Sequence, residues 1–218
     1  MLSLHGRKPA AVVAEPVAKL FLRAGFTANA VTVLGTLATI GAAVALIPTG
    51  HLVWAALLTL FFAAFDMIDG TMARLRGGGT AYGATLDASC DRLSDGALFG
   101  AIAYWLIYVD QADKPTVAVA LLVLALSQTI SYIKARAEAG GLKVNGGLIE
   151  RPERLILAVG GLFLEGLGVN LALEVALWTL AAGSVITVVQ RLYKASRDPK
   201  ATQRIAAPAG APEPKAER

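Results

Sequence analysis

The sequence predicts an all-α integral membrane protein with six transmembrane helices, preceded by an amphipathic helix at the membrane interface. Three observations support this fold class. Only 17% of the 218 residues are charged, against roughly 25% in soluble domains. The mean hydropathy is +0.59, and long runs without charge recur along the chain. Lipid is therefore the expected solvent for much of this protein.

The first predicted element lies ahead of the first uncharged run. Residues 10–22 place valine, leucine and phenylalanine side chains among Glu15 and Lys19. A helix with one apolar and one charged face lies in the plane of the interface rather than across the bilayer. We therefore expect residues 1–27 to form an N-terminal juxtamembrane segment.

Six predicted spans follow. From Ala24 to Phe65 there is no Asp, Glu, Lys or Arg, and this run is too long for one span of about 20 residues. The turn-forming residues from Pro48 to His51 divide it in two. The third span reaches full length only if it is extended backwards over several aspartates. The predicted helices cover about residues 28–47, 52–75, 83–109, 115–133 (most of the fourth), 152–167 and 171–194.

Residues 28–194 are expected to form one domain, and the Pro-, Ala- and charge-rich residues 195–218 to form a disordered cytoplasmic tail. Six spans place both termini on the same side. Of the 20 lysines and arginines, only Lys114 lies in the loops of the opposite side. Because positive charge marks the cytoplasmic side, we predict a multi-pass protein of the cell membrane with cytoplasmic termini. The net charge of +4 is then explained by orientation, and no nucleic-acid partner is predicted.

Four aspartates cluster at the cytoplasmic ends of the second and third predicted helices. Asp66 and Asp69 are three residues apart and Asp87 and Asp91 four apart, so each pair shares a helix face. The short, glycine-rich connection at 76–82 predicts that the two helices pack antiparallel and that the two pairs meet. Each carboxylate costs about 2.5–3.5 kcal/mol at a helix centre and less near its end. Oxygen ligands alone favour a hard cation, Mg²⁺ or Mn²⁺.

An alternative is that arginines at 74, 76 and 92 neutralise these carboxylates. Three arginines cannot balance five aspartates, counting Asp95 with the four above. Asp95 by itself can pair with Arg92, three residues earlier. Arg74 lies within one turn of Gly70 and is placed to hold a phosphate oxygen.

The motif D-x2-D-G-x2-A-R-x8-G-x3-D-x3-D is complete in this sequence. Its fixed positions are Asp66, Asp69, Gly70, Ala73, Arg74, Gly83, Asp87 and Asp91. It resembles the signature of the CDP-alcohol phosphotransferases, and the six predicted spans agree with that family over about residues 10–194.

The resemblance implies an enzyme that transfers a phosphatidyl group from CDP-diacylglycerol to a small alcohol at the cytoplasmic face of the bilayer. It implies that Asp66, Asp69 and Asp87 bind metal, and that Asp91 completes a second metal site, acts as the general base, or does both. It further implies nucleotide contacts from Gly70, Arg74 and Thr80, and it suggests a homodimer.

Basic residues also gather at the cytoplasmic ends of the last three predicted helices. A pocket with several cations suits an acceptor that already carries phosphate, either inositol phosphate or glycerol 3-phosphate. The stretch SYIKARAEAGG…GGLIERPERL resembles the actinobacterial phosphatidylinositol phosphate synthases, whose acceptor is inositol 1-phosphate. Carried over to this sequence, the acceptor site consists of Ser131, Lys134, Arg151, Arg154 and Arg191.

Three alternatives stay open at this stage. Any single cation in that set is also what membrane orientation requires. Within the family, a phosphatidylglycerophosphate synthase using glycerol 3-phosphate fits the same basic pocket. Outside it, intramembrane aspartates also mark ion pathways, as in a cation transporter. Transport sites, however, usually lie near the midplane, whereas these aspartates lie at one face.

Overall fold

A computed structural model of the chain describes residues 7–203, with side chains from Ala14 onwards. Within that range the protein contains eight helical segments and no strand, so the all-α prediction is confirmed. The helices are α1 Arg7–Arg23, α2 Ala28–Leu46, α3 Leu52–Ala63, α4 Phe65–Leu75, α5 Ala81–Tyr108, α6 Lys114–Ala139, α7 Arg151–Gly166 and α8 Ala172–Ser196. The predicted tail, residues 195–218, lies outside the described residues from position 204 onwards.

Local side-chain chemistry explains where several helices begin. The hydroxyl of Thr27 accepts a hydrogen bond from the backbone N–H of Ala30 at the start of α2, and Thr80 does the same for Gly83 at the start of α5. Asp113 caps α6. Each cap satisfies a backbone donor that a helix leaves unpaired in its first turn.

Four helices are long and apolar enough to cross a membrane: α2, the continuous stretch Leu52–Leu75 formed by α3 and α4, α6, and α8. The chain is therefore a multi-pass membrane protein by length and composition. Helix α5 has 28 residues, but Asp87, Asp91 and Asp95 make its first half too polar to be recognised as a span. Helix α7 has only 16 residues. The count of six spans thus stays a prediction for these two helices.

Six helices close into a ring, in the order α2, α5, α6, α8, α7, α3 and back to α2. Their inner faces share one apolar core, in which Ile102, Leu162 and Leu177 are fully buried. Helix α1 packs on α4 through a smaller core around Met72. The predicted amphipathic helix at 10–22 is thus helical, while its location at the membrane interface stays a prediction.

The ring corrects the predicted packing of the two helices that carry the aspartates. Neither α3 nor α4 forms a close pair with α5 among the described residues, because α2 packs against all three. The predicted single helix 52–75 also has an irregular turn at Ala64. The turn lies beside Gly35 of α2, where a Cβ atom would stand 2.8 Å from that of Phe65. The small residue on α2 therefore lets the start of α4 approach closely.

Candidate active site

The carboxylates of Asp66, Asp69 and Asp87 meet at one end of the ring. Each offers an oxygen atom, and the three atoms lie within 4.8 Å of one another. Asp66 and Asp69 come from α4, and Asp87 comes from the first half of α5. Asp69 is buried, Asp66 is half-buried and Asp87 is exposed, so the cluster opens toward solvent. These are three of the four residues predicted as metal ligands; the fourth is Asp91.

Helix α2 supplies a residue that sequence reasoning missed. The hydroxyl of Thr32 contacts the Asp69 carboxylate. The same hydroxyl lies 3.1 Å from the backbone carbonyl oxygen of Ala28. Thr32, Thr36 and Thr39 are all buried. Their spacing of four and three residues along an uncharged helix was the available signal, because it places three hydroxyls on one face.

Asp91 lies one turn further along α5 than Asp87 and is outside the group of three converging oxygens. Its Oδ1 lies 2.8 Å from Nη2 of Arg151, so the two side chains form an ion pair. The Nη1 atom of the same guanidinium pairs with Asp66. Arg151, at the start of α7, therefore bridges aspartates from α4 and α5, two helices that form no close pair among the described residues.

Asp95 forms a second, deeper charge network. Nη2 of Arg154 lies 2.6 Å from its Oδ2, and Nη2 of Arg92 lies 3.1 Å from the same atom. The Arg154 side chain is only 2% exposed. The alternative in which Asp95 pairs with Arg92 is therefore observed, and Arg154 joins that pair.

The remaining residues predicted for the acceptor site lie around the ends of α6 and α8. Arg191 is 4% exposed and donates to the carbonyls of Ile130 at 2.6 Å and Gly146 at 3.1 Å. Ser131 donates to a carbonyl within its own helix, and Lys134 stands 3.8 Å from Glu138 on the surface. Every predicted acceptor residue thus has a partner in the protein, and its role toward an acceptor stays a prediction.

The predicted nucleotide contacts lie on the solvent side of the aspartates. A Cβ added to Gly70 would meet only the tip of Arg74, at 3.6 Å. Packing within the described residues therefore does not require glycine at this position. A ligand that approaches the backbone closely would require it. Arg74 is exposed and its Nη2 donates to Thr71 at 2.8 Å. Thr80 is exposed and caps α5.

A small polar cavity of about 10 Å³ lies beneath the aspartates. It is lined by threonines of α2 and α3, by Ser94 and by Arg151. The Nε atom of Arg151 and the hydroxyl of Thr59 are buried without a hydrogen-bond partner among the described residues. The space suits about one water molecule. Polar side chains therefore lie on the buried side of the aspartate site.

Comparisons with known proteins agree on one family. The sequence model of the family described as CDP-alcohol phosphatidyltransferase matches residues 26–189. The phosphatidylinositol phosphate synthase of Corynebacterium glutamicum is 60% identical over 211 residues, covering 97% of this chain and 96% of that protein. The enzyme of the same name from Mycobacteroides abscessus is 48% identical, over 92% and 91% of the two chains.

Solved structures of the Mycobacterium tuberculosis phosphatidylinositol phosphate synthase are also similar. The structure with bound CDP-DAG has a TM-score of 0.85 at 48% identity and covers 89% of this chain and 99% of its own. The complex with manganese and citrate has a TM-score of 0.84, also at 48% identity, over 88% and 93% of the two chains.

Proposed function

Because the chain belongs to the CDP-alcohol phosphatidyltransferase family, we propose that it transfers the phosphatidyl group of CDP-diacylglycerol to inositol 1-phosphate. The products are phosphatidylinositol phosphate and CMP. The observation that carries this proposal is the convergence of three carboxylates within 4.8 Å, bordered by an arginine that bridges Asp66 and Asp91. The relatives named phosphatidylinositol phosphate synthase support the choice of acceptor.

The residues at the site fit a divalent metal, either Mg²⁺ or Mn²⁺. The three converging ligands are carboxylate oxygens, which are the donors that hard cations prefer. The open side of the cluster leaves room for phosphate oxygens to complete the coordination. Asp66, Asp69 and Asp87 would hold the metal, and Thr32 keeps the Asp69 carboxylate in place. When bound, the metal neutralises negative charge on the diphosphate of the lipid substrate and on the departing CMP.

The chain's own groups supply the proton transfer. Asp91 accepts the proton of the acceptor hydroxyl, whose oxygen forms the new bond to the phosphorus nearest the lipid. The bond from that phosphorus to the CMP oxygen breaks, and CMP leaves with the electron pair. Arg151 holds the Asp91 carboxylate through a 2.8 Å contact, so the base is aimed before the acceptor arrives. Gly70, Arg74 and Thr80 contact the nucleotide.

An acceptor that carries its own phosphate needs cations beside Asp91. Arg151 touches Asp91 directly, and Arg154 stands behind it on the same helix. Arg191 fixes the chain segment leading into α7 through the Gly146 carbonyl. Together with Ser131 and Lys134 these residues form the proposed acceptor pocket. Guanidinium groups suit this task because they bind phosphate oxygens in pairs.

The test uses purified protein in detergent with CDP-diacylglycerol, Mg²⁺ and radiolabelled inositol 1-phosphate. Label should enter the lipid phase, and EDTA should abolish its transfer. Glycerol 3-phosphate is the matched competing acceptor. Labelled lipid from glycerol 3-phosphate but not from inositol 1-phosphate would show that the proposed acceptor is wrong and that the reaction class is right. Uptake of Mn²⁺ into protein-containing vesicles, with no lipid product from either alcohol, would favour a transporter.

We further propose that α5 and α7 complete a six-span topology, with both termini and the aspartates at the cytoplasmic face and the protein forming a homodimer in the cell membrane. The distribution of lysine and arginine supports the orientation. The orientation is tested by placing single cysteines in the loops and labelling them in intact cells with a reagent that does not cross the membrane. In a Cys90→Ala background, a cysteine at Ala112 should react from outside and one at Gly78 should not. Light scattering in detergent tests the dimer.

A further inference from the structure

A second pocket lies at the end of the molecule opposite the aspartates. Its volume is about 370 Å³, and Trp105 forms part of its wall. Trp105 follows Asp87 by 18 residues on the same helix, which corresponds to about 27 Å along the helix axis. The pocket is therefore separate from the site described above, and neither the family motif nor the proposed reaction uses it.

The residues around this pocket make it strongly anionic. Four carboxylates line it, and among the described residues no lysine or arginine does. They are Asp110, Asp113, Glu165 and Glu174. Two of them also serve the fold, because Asp113 caps α6 and Glu165 accepts from the backbone N–H of Leu173 at 3.0 Å. The carboxylates of Asp110 and Glu174 make no hydrogen bond or ion pair with the described residues.

An independent observation comes from Thr116, which also lines the pocket. This residue is 3% exposed, and its hydroxyl is buried without a hydrogen-bond partner among the described residues. Leaving a buried hydroxyl unpaired is unfavourable, because it has lost its hydrogen bonds to water. A hydrogen-bond donor on a ligand in the pocket would remove that cost.

The shape and chemistry of the pocket distinguish between types of cation. The four carboxylates do not form a group whose oxygens converge within 4.8 Å, as the three aspartates do. A bare metal ion therefore has no ready set of ligands here. The volume is in the range of small-molecule pockets, which combine apolar walls with a few polar groups. Trp105, Leu106 and Leu173 supply such walls.

We propose that this pocket binds a small organic ammonium ion. Its N–H groups would donate to the Thr116 hydroxyl and to the carboxylates of Asp110 and Glu174, and its carbon chain would lie against Trp105. Two sources offer this chemistry: a free amine in the surrounding solution, or the amine headgroup of a membrane lipid.

The test uses Trp105 as a reporter. The full chain carries Trp54→Phe and Trp178→Phe, which remove the two exposed tryptophans, and is purified in detergent. Putrescine should change the Trp105 fluorescence in a saturable way and raise the unfolding temperature. The double change Asp110→Asn with Glu174→Gln should weaken binding about tenfold, since it removes two carboxylates that pair with the ammonium group and exposed ion pairs are individually weak.

Two further variants separate a specific site from general charge effects. Thr116→Val should weaken binding about threefold, and Glu15→Gln, a surface carboxylate on α1, should leave it unchanged. A response that sodium chloride reproduces at equal ionic strength would overturn the proposal. So would a response that survives the double change, one that Mg²⁺ elicits at lower concentration than putrescine, or no change in either fluorescence or unfolding temperature.

A competition experiment separates the two sources. Micelles containing phosphatidylethanolamine should displace putrescine if the amine is a lipid headgroup, whereas micelles of phosphatidylcholine, which lacks N–H donors, should not. Absence of displacement by either lipid, with putrescine still binding, would assign the site to a free amine.

Discussion

Replacing Asp95 with asparagine should destabilise the protein severely, although Asp95 lies outside the family motif. The Asp95 carboxylate accepts from Arg154 at 2.6 Å and from Arg92 at 3.1 Å. Arg154 is 2% exposed, so Asp95→Asn would leave its guanidinium buried without a countercharge. Removing one partner of a buried ion pair costs about 3–5 kcal/mol. For a chain of this size, that corresponds to a fall of about 6–20 °C in the unfolding temperature.

The assay is thermal unfolding of the purified protein in one detergent. Adding Arg154→Met to Asp95→Asn removes the fully buried unpaired charge, while Arg92, which also loses its partner, is 27% exposed and can be hydrated. The double variant should regain much of the loss because an apolar replacement of a buried pair is often close to neutral. Glu138→Gln is the control, since its pair with Lys134 is exposed and at 3.8 Å. An Asp95→Asn protein within about 2 °C of the parent, or a double variant less stable than the single one, would refute this reasoning.

Three further predictions concern single side chains. Thr32→Val removes the hydroxyl contact to Asp69; a hydrogen bond to a charged group contributes about 1.5–3 kcal/mol, so kcat/KM should fall at least about tenfold, while Thr32→Ser should stay near the parent value. Asp91→Asn should abolish phosphatidyl transfer but keep CDP-diacylglycerol binding in an equilibrium assay. Hydrogen bonds from the backbone N–H groups of Lys143 and Lys200 lower the pKa of Asp198 below its ordinary value of 3.8. The contact to Lys143 is therefore present above pH 3.8 and lost as the pH falls through the lowered pKa, which amide hydrogen exchange at Lys143 will report.

Each of these has a contrary result. Equal activity of the valine and serine variants would show that the Thr32 hydroxyl does not support the function of Asp69. Equal loss of binding and turnover in Asp91→Asn would assign Asp91 to metal binding rather than to proton transfer. Loss of amide protection at Lys143 already well above pH 3.8 would show that another group holds this loop.

The helices were predictable because lipid imposes a simple rule on sequence. The predicted second helix, 52–75, has the observed limits Leu52 and Leu75, since the residues flanking it are turn formers and charges. The irregular turn at Ala64 was not predictable. It depends on the approach of α4 to Gly35, and an uncharged stretch contains no signal for such a contact.

The candidate site divides in a similar way. The spacing of the aspartates predicted that the pairs Asp66/Asp69 and Asp87/Asp91 would meet, because helix periodicity fixes which residues share a face; oxygens of Asp66, Asp69 and Asp87 converge, and Asp91 lies outside that group. It did not predict that α2 lies between their helices, since an almost uniformly apolar helix does not reveal its neighbours. The sequence indicated Arg92 as a partner for Asp95, and the structure adds Arg154, which is 59 residues away and could not be predicted from spacing.

The pairing of Asp95 with Arg154 also bears on how the protein is made. Helices α5 and α7, which carry these two residues, are not among the four helices apolar enough to be recognised as spans by composition. The two side chains are 59 residues apart, so at about 5–20 residues per second α5 waits roughly 3–12 seconds for its partner to be synthesised. During that interval Asp95 has Arg92 of its own helix beside it but lacks the contacts to Arg154 and Arg151 of α7. We therefore expect α5 to settle in the bilayer only once α7 emerges, which makes completion of the aspartate site a late step of biosynthesis.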